Sequence, residues 1–378
     1  MGTRAKKLSL KELYQAIYEK GQASKPELAQ DFGVSLTAVS DYVNQLESLG
    51  FVESKAKGTS TGGRKPLLYQ VTPGFRYIVG VDMRVTHFYV FLSDVTGNLL
   101  PTELIHVNKD YYTYVTALAQ NIQYILARFG LDKKKEQVIA VGICISGVTD
   151  FEHKVVDLSN ELGWLDRPLA LDLEKALGIP VFVENDARVY ARNEINMEET
   201  NNVVTVLYLS RGVGLALVIG DRVLQGYNNR AGDSQFFGRD IDKIYHVIRT
   251  CGLFQEINDL PYIKLGAQPQ HIFDLNQKFM RHVEENPDIK DAVEVFSTEV
   301  ARMMIAMANV VNPKRILLTG NVFDYFDFIY HQVKSKILAL PVCHTPEVGR
   351  NSPTDNPLER GIVRLVMEKF FSLEQFTI

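Results

Sequence analysis

Residues 24–53 read S-K-P-E-L-A-Q-D-F-G-V-S-L-T-A-V-S-D-Y-V-N-Q-L-E-S-L-G-F-V-E, and residues 55–66 read K-A-K-G-T-S-T-G-G-R-K-P. Two short helices meet at Gly33, and a hairpin with a basic, glycine-rich tip follows. That order predicts a winged helix-turn-helix. Ser24 with Glu27 fits a capping box, and Pro26 lies in the first turn, where a missing N–H costs little. Leu28, Ala29 and Phe32 give the first helix an apolar face. Ser35 caps a second helix, whose Leu36, Val39, Val43, Leu46 and Leu49 recur at helical spacing and are expected to point inward. Gly50 ends it. Residues 51–53 and 67–71 are expected to form the two strands of the wing.

The outward positions of the second helix are small or polar: Thr37, Ala38, Ser40, Asp41 and Asn44, with Ser35 at its start. Such a surface fits a major groove about 12 Å wide and offers hydroxyls and an amide to base edges. Asp41 either accepts from a cytosine amino group or repels phosphate. Lys55, Lys57, Arg64 and Lys65 place cations against phosphate or a narrow minor groove. The competing reading is a winged helix that binds protein. Charge favours DNA. Residues 1–76 hold eleven Lys and Arg against seven Asp and Glu, net +4, in a chain of net −4, so the remainder carries −8. A basic head on an acidic body suits a DNA reader joined to a sensing domain.

The 378 residues are long for one domain, and 46% hydrophobic content is ample for a core. No apolar run reaches the length of a bilayer span, and no signal peptide is expected. Cys144, Cys251 and Cys343 lie far apart without metal-ligand spacing, which fits a reducing cytoplasm. After a boundary at Thr72-Pro73-Gly74 the chain alternates strand and helix. Strands are expected at 77–81, 87–93, 138–145, 180–183, 203–209, 212–219 and 315–319. Helices are expected at 114–129, 169–177 and 293–311. Hairpins are expected at 94–98 and near Gly220. This order predicts an α/β body of two related lobes, with ligands at strand carboxyl ends between them.

The body carries Val79-Gly80-Val81-Asp82, Gly142-Ile143-Cys144-Ile145-Ser146-Gly147, Leu162-Gly163-Trp164, Pro180-Val181-Phe182-Val183-Glu184-Asn185-Asp186-Ala187 and Gly212-Val213-Gly214-Leu215-Ala216-Leu217-Val218-Ile219. On these motifs the chain resembles the ROK family of repressors and sugar kinases, within the actin-like ATPase superfamily. The head's L-x-x-L-G-F-V-E and G-G-R-K-P are similar to those of its repressor members. The resemblance implies a winged helix-turn-helix over 1–73, a first lobe over 74–190 and a second over 191–378. The C-terminal helix would return to the first lobe.

Two departures matter. Family kinases run their first strand into D-x-G-G-T, whose glycines let backbone N–H groups approach ATP phosphates. Here Met83-Arg84-Val85-Thr86 follows Asp82, and bulky side chains disfavour that nest. Arg84 is expected at the surface or as a wall residue, with anion holding by its side chain as the alternative. Second, the resemblance implies a G-E-x-G-H motif and a C-x-C-G-x-x-G-C cluster that bind structural zinc. This chain has Ala231-Gly232-Asp233-Ser234-Gln235-Phe236, and Cys251-Gly252 is the remnant of the cluster. One cysteine cannot supply four ligands, so no zinc and no nucleotide cofactor are expected; packing through Phe236, Phe237 and Ile241 would replace the metal.

The resemblance makes Ser146, Gly147, Asn185, Asp186 and Asp233 the candidate ligand-binding residues. In the kinases the residue matching Asp186 is the general base that takes a sugar hydroxyl proton, which requires hydrogen-bond reach. Here Asp186 is expected to hold sugar hydroxyls, and Asn185 and Asp186 also fit the cap of a helix starting near Ala187. The shorter Asp233 implies a changed ligand or a bridging water. The sequence therefore predicts a cytoplasmic, sugar-responsive repressor without kinase activity. It would act on a double-stranded operator as a homodimer or dimer of dimers. A sugar kinase, with Asp186 catalytic, and a regulator with a vestigial pocket controlled by a protein partner are the alternatives. The Met303, Met304 and Met307 helix is assigned to core ahead of interface.

Overall fold

The computed structural model describes residues 8–57, 66–150, 153–195, 201–209, 212–220, 222–227, 229–232, 269–339, 345–350 and 357–372. The head comprises α1 (Leu10–Lys20), β1 (Ala23–Ser24), α2 (Lys25–Phe32), α3 (Leu36–Ser48), β2 (Val52–Lys57) and β3 (Leu67–Val71), with strand order β1-β3-β2. Reciprocal capping boxes start α1, through Ser9 and Glu12, and α2, through Ser24 and Glu27. Gly33 ends α2 at φ 62°, a left-handed value that a side chain would resist. Val39, Val43 and Leu46 of α3 are buried as expected. Leu36 and Leu49 are not: they are 51% and 41% exposed. They flank the stripe at the first and last turns of α3, beyond the reach of the short head core. Ala38 and Ser40, expected to face outward, are half-buried, whereas Thr37, Asp41 and Asn44 are exposed.

Among the described residues the body holds two five-stranded sheets. The first comprises β4 (Tyr77–Met83), β5 (His87–Asp94), β6 (Leu99–His106), β7 (Val138–Ile145) and β11 (Val181–Asn185), in the order β11-β7-β4-β5-β6. The second comprises β12 (Val203–Leu209), β13 (Val213–Ile219), β14 (Arg222–Val223), β15 (Arg315–Thr319) and β16 (Glu347–Gly349), in the order β14-β13-β12-β15-β16. In each sheet a central strand pairs antiparallel with its successor and parallel with a later strand. This is one topology used twice, as two related lobes require. A small sheet of β8 (Val148–Asp150), β9 (Val155–Ser159) and β10 (Trp164–Arg167) lies beside the first, where no strands were expected.

The helices of the first lobe are α4 (Tyr111–Arg128) and α5 (Leu169–Leu177); α6 (Asp186–Ala191) follows β11 and continues as a 3-10 turn at Arg192–Glu194. The second lobe carries α7 (Pro269–Glu285), α8 (Pro287–Val311), α9 (Asn321–Tyr325) and α10 (Asp327–Ala339). Met303 and Met304 of α8 are buried in the core of the second lobe, with Phe296, Ile316 and Val333. The last described helix, α11 (Pro357–Ser372), packs on the first sheet and on α6.

Head and body share a core. One cluster joins Tyr14 and Ile17 of α1, Phe51 beside the wing, Ile78 and Ile139 of the first sheet, and Val363, Val366 and Phe371 of α11. The Tyr14 ring lies 5.5 Å from Phe51 and 5.7 Å from Phe371, and Phe51 lies 5.3 Å from Phe75. The Arg76 guanidinium covers Phe51 at 5.0 Å and donates to Glu136 O at 2.6 Å. Burying a side chain such as Phe371 contributes roughly 2–3 kcal/mol.

Candidate effector site and DNA-reading surface

The parallel strands β4, β7 and β11 bring Asp82, Cys144 and Glu184 into one row at their carboxyl ends. Asn185 and Asp186 follow where the chain turns into α6. Asn185 is the N-cap: its Oδ1 accepts the Arg188 N–H at 3.4 Å, and its Nδ2 donates to Gly147 O at 2.8 Å. Its side chain thus serves the protein, which joins the expected Asn185 and Gly147 structurally. Ser146 contributes its carbonyl, which accepts from the Ser159 hydroxyl at 2.7 Å.

Asp186 opens α6 and is half-buried. Its Oδ1 accepts the Ala187 N–H at 2.8 Å; among the described residues Oδ2 accepts no hydrogen bond. Burial raises the carboxyl to about 7, against the pull of the Ala187 N–H and of Arg84. Gly214 of β13 lies opposite. A Cβ there would come 2.8 Å from the Ala187 Cβ and 3.8 Å from Asp186 Oδ1, so only glycine lets the second sheet approach this helix so closely. Tyr208, the partner of Gly214 in the β12–β13 ladder, is buried, and its hydroxyl has no hydrogen-bond partner among the described residues.

Arg84 is not an open surface residue: its side chain is only 12% exposed and turns onto Asp82. Its Nε and Nη2 donate to Asp82 Oδ2 at 2.9 and 2.8 Å, and the Asp82 side chain is buried. Burial opposes the guanidinium charge, and the Asp82 carboxylate outweighs it. The Arg84 backbone N–H donates to His87 O at 2.9 Å, and the Tyr114 hydroxyl donates to the Arg84 and His87 carbonyls at 2.8 and 3.0 Å. The turn that would cradle a phosphate has closed on itself, with its acid neutralised and this amide occupied.

Two further arginines escaped the sequence reading. Arg188 donates to Gln225 Oε1 at 2.6 Å and to Asn229 O at 2.7 Å, which pins Gln225 and Asn229 beside the site. Arg192 is fully buried and bridges Glu184 Oε2 at 2.9 Å to Glu368 Oε2 of α11 at 3.1 Å. Burial would raise the Glu184 carboxyl, but Arg192 and Arg188 hold it below its ordinary value. From α11, Arg364 Nη1 donates to Arg192 O and Asn193 O at 2.8 and 3.2 Å. The helix that starts at Asp186 is thereby bonded to the helix that carries the head.

On the head, Ser35 caps Ala38 N at 3.2 Å. Asn44 accepts from Lys25 Nζ at 2.7 Å, and that ammonium lies 4.9 Å from the Tyr69 ring. Lys25 therefore lies beside Asn44 of α3, a placement visible only once α2 and α3 are packed. Lys55 is exposed on β2, and Lys57 ends that strand. Arg64, Lys65, Asp233, Phe236, Phe237, Ile241 and Cys251 lie outside the described residues. Among the described residues no three His, Cys, Asp or Glu side chains cluster as metal ligands, and no helix is long and apolar enough to cross a membrane.

These features define a class: a DNA-reading winged helix fused to a two-lobed, sugar-kinase-like body. Residues 78–234 match the ROK family, and residues 9–53 match the winged helix-turn-helix DNA-binding family. The chain thus carries a ROK-family domain behind a winged helix-turn-helix. The xylose repressor of Bacillus spizizenii is 22% identical over 98% of both chains. The structure of a ROK family transcriptional regulator, a homologue of the E. coli MLC protein, superposes with a TM-score of 0.70 at 17% identity, covering 96% of each chain. A ROK family glucokinase from Streptomyces griseus, solved with glucose and AMPPNP, matches 76% of this chain and 98% of its own, with a TM-score of 0.57 at 17% identity.

Proposed function

We propose that this chain is a sugar-responsive, DNA-binding transcriptional repressor without kinase activity, divided at residues 73 and 190 into head, first lobe and second lobe. The observation that carries the reading is the bonded path from Asp186 through Arg192 to α11 and the head. A sugar that closes the lobes on Asp186 shifts α6, and α11 passes the shift to α3. Such a ligand changes operator affinity in proportion to its differential affinity for the two lobe arrangements. The full-length likeness to a protein named xylose repressor makes D-xylose the first sugar to test. Two heads of a homodimer would read two half-sites in the cytoplasm.

The kinase alternative draws on the Asp186 carboxyl, which sits near 7, a value suited to a general base. The Asp82–Arg84 pair and the closed turn argue against it, because a phosphate has no backbone donor at Arg84. Fluorescence anisotropy tests the proposal, using duplexes from the DNA beside the chain's own coding sequence, over a salt series and with D-xylose and other aldoses. The expected result is salt-sensitive binding that one sugar changes at least fivefold. Binding indifferent to every sugar, or turnover of ATP with one, would refute it.

A further inference from the structure

The reading helix carries no cation of its own. Residues 36–48 contain Asp41 and Glu47 and no Lys or Arg. Lys25 holds the carbonyl oxygen of Asn44 at 2.7 Å, so the Asn44 amide has its NH₂ group left to donate. Thr37 is exposed beside it. The remaining group is Leu36. Its spacing from Val39 places it in the core by periodicity, yet it is 51% exposed and stands outside the apolar cluster that buries Val39, Val43 and Leu46. It occupies the first position of α3, directly after the N-cap. In helix-turn-helix docking the N-terminal residues of the second helix meet the base edges. The one apolar feature of a major-groove edge is the thymine 5-methyl group, and aliphatic side chains are its complement.

We infer that Leu36 reads a thymine methyl in the operator, and that this contact, with donation from Asn44, fixes the half-site sequence. The inference rests on the head being a DNA reader. Leu36 and Asn44 are eight positions apart, about 12 Å along a helix. At 3.4 Å per base pair, the thymine lies roughly three to four pairs from the base that Asn44 reads.

The test uses the full chain and duplexes it enriches from a randomised pool. Each thymine of the enriched half-site is replaced in turn by uracil, which removes the methyl and keeps the pairing. One replacement should weaken the wild type about fourfold, the worth of one buried methyl, and leave Leu36→Ala unaffected. Leu36→Met, which keeps apolar reach, should retain the sensitivity and guards against a folding defect in the alanine variant. Uracil replacements that cost nothing, or cost wild type and Leu36→Ala equally, overturn the inference. So does a DNA-free Leu36→Ala protein that sediments as a smaller species, since Leu36 would then face a second copy. A pool with no enriched duplex defeats the DNA-reading head itself.

Discussion

Arg192 lies where the candidate effector site meets α11, and its replacement by Met should show what that junction is worth. The guanidinium is fully buried between Glu184, 6% exposed in its side chain, and Glu368, 43% exposed. Removing one member of a buried pair costs about 3–5 kcal/mol, because the other charge stays behind. Glu184 keeps Arg188 Nε at 3.4 Å and the Asn185 N–H at 2.9 Å, which places the cost near the lower bound, about 3 kcal/mol. The exposed partner Glu368 adds at most about 1 kcal/mol. With a urea slope of about 1–3 kcal/mol per molar, the midpoint should fall by about 1 M or more. Trp164, the sole tryptophan, is buried on the first lobe and donates to Lys109 O at 2.9 Å, so its fluorescence reports unfolding there. The decisive comparison is the double variant Glu184→Gln/Arg192→Met. With no buried carboxylate left to strand, it should lose roughly 2 kcal/mol less than the sum of the single losses. Additive losses would refute the claim that the Arg192 effect is an electrostatic one centred on Glu184.

Other consequences are open to direct measurement. Glu368→Gln cuts the α6–α11 link at its exposed end; calorimetry should find sugar affinity kept while the sugar-induced change in operator affinity shrinks. For Asp186 the folded pKa is raised above the unfolded 3.8 to about 7, so the ionised carboxylate destabilises the fold above pH 7, and that penalty fades as pH falls towards 4. Asp186→Asn should therefore melt higher than wild type at pH 8, by roughly 2 kcal/mol after allowance for its partial exposure, and no higher at pH 4. Arg84→Ala should destabilise the first lobe through the loss of the two guanidinium hydrogen bonds to Asp82 and still show no thermal shift with MgATP, since the turn N–H remains tied to His87. Lys25→Ala should weaken operator binding and lower the salt slope by about 1 if the ammonium neutralises one phosphate.

Much of the fold was legible because its signals are local. Capping residues, the glycine at position 33 and uninterrupted apolar runs marked α2, α3, β7, β12 and β15 within a residue or two. The strands β8, β9 and β10 were not legible: they are three to five residues long and owe their pairing to neighbours rather than to alternation. Leu36 went astray because a period of 3.6 identifies a stripe but not where the opposing core stops. The candidate site divides the same way. Asn185 and Asp186 stand out in the chain as a polar pair between strand and helix. Arg192 does not, since its partner Glu368 is 176 positions away, and only the packing of α11 on α6 makes them neighbours. Arg84 read as a surface or wall residue because its local sequence says nothing about how deeply the first turn is covered.

The core shared by the head and α11 also orders events in time. During synthesis the head is the first described part of the chain to leave the ribosome, yet Tyr14 waits for Phe371 to cover it. A nascent head therefore holds an uncovered apolar face until α11 arrives, and full packing of the DNA-reading unit reports that the sensing body before α11 has been made. By the same logic, a graft of this head onto another body needs residues 363–371, or their equivalent, to travel with it.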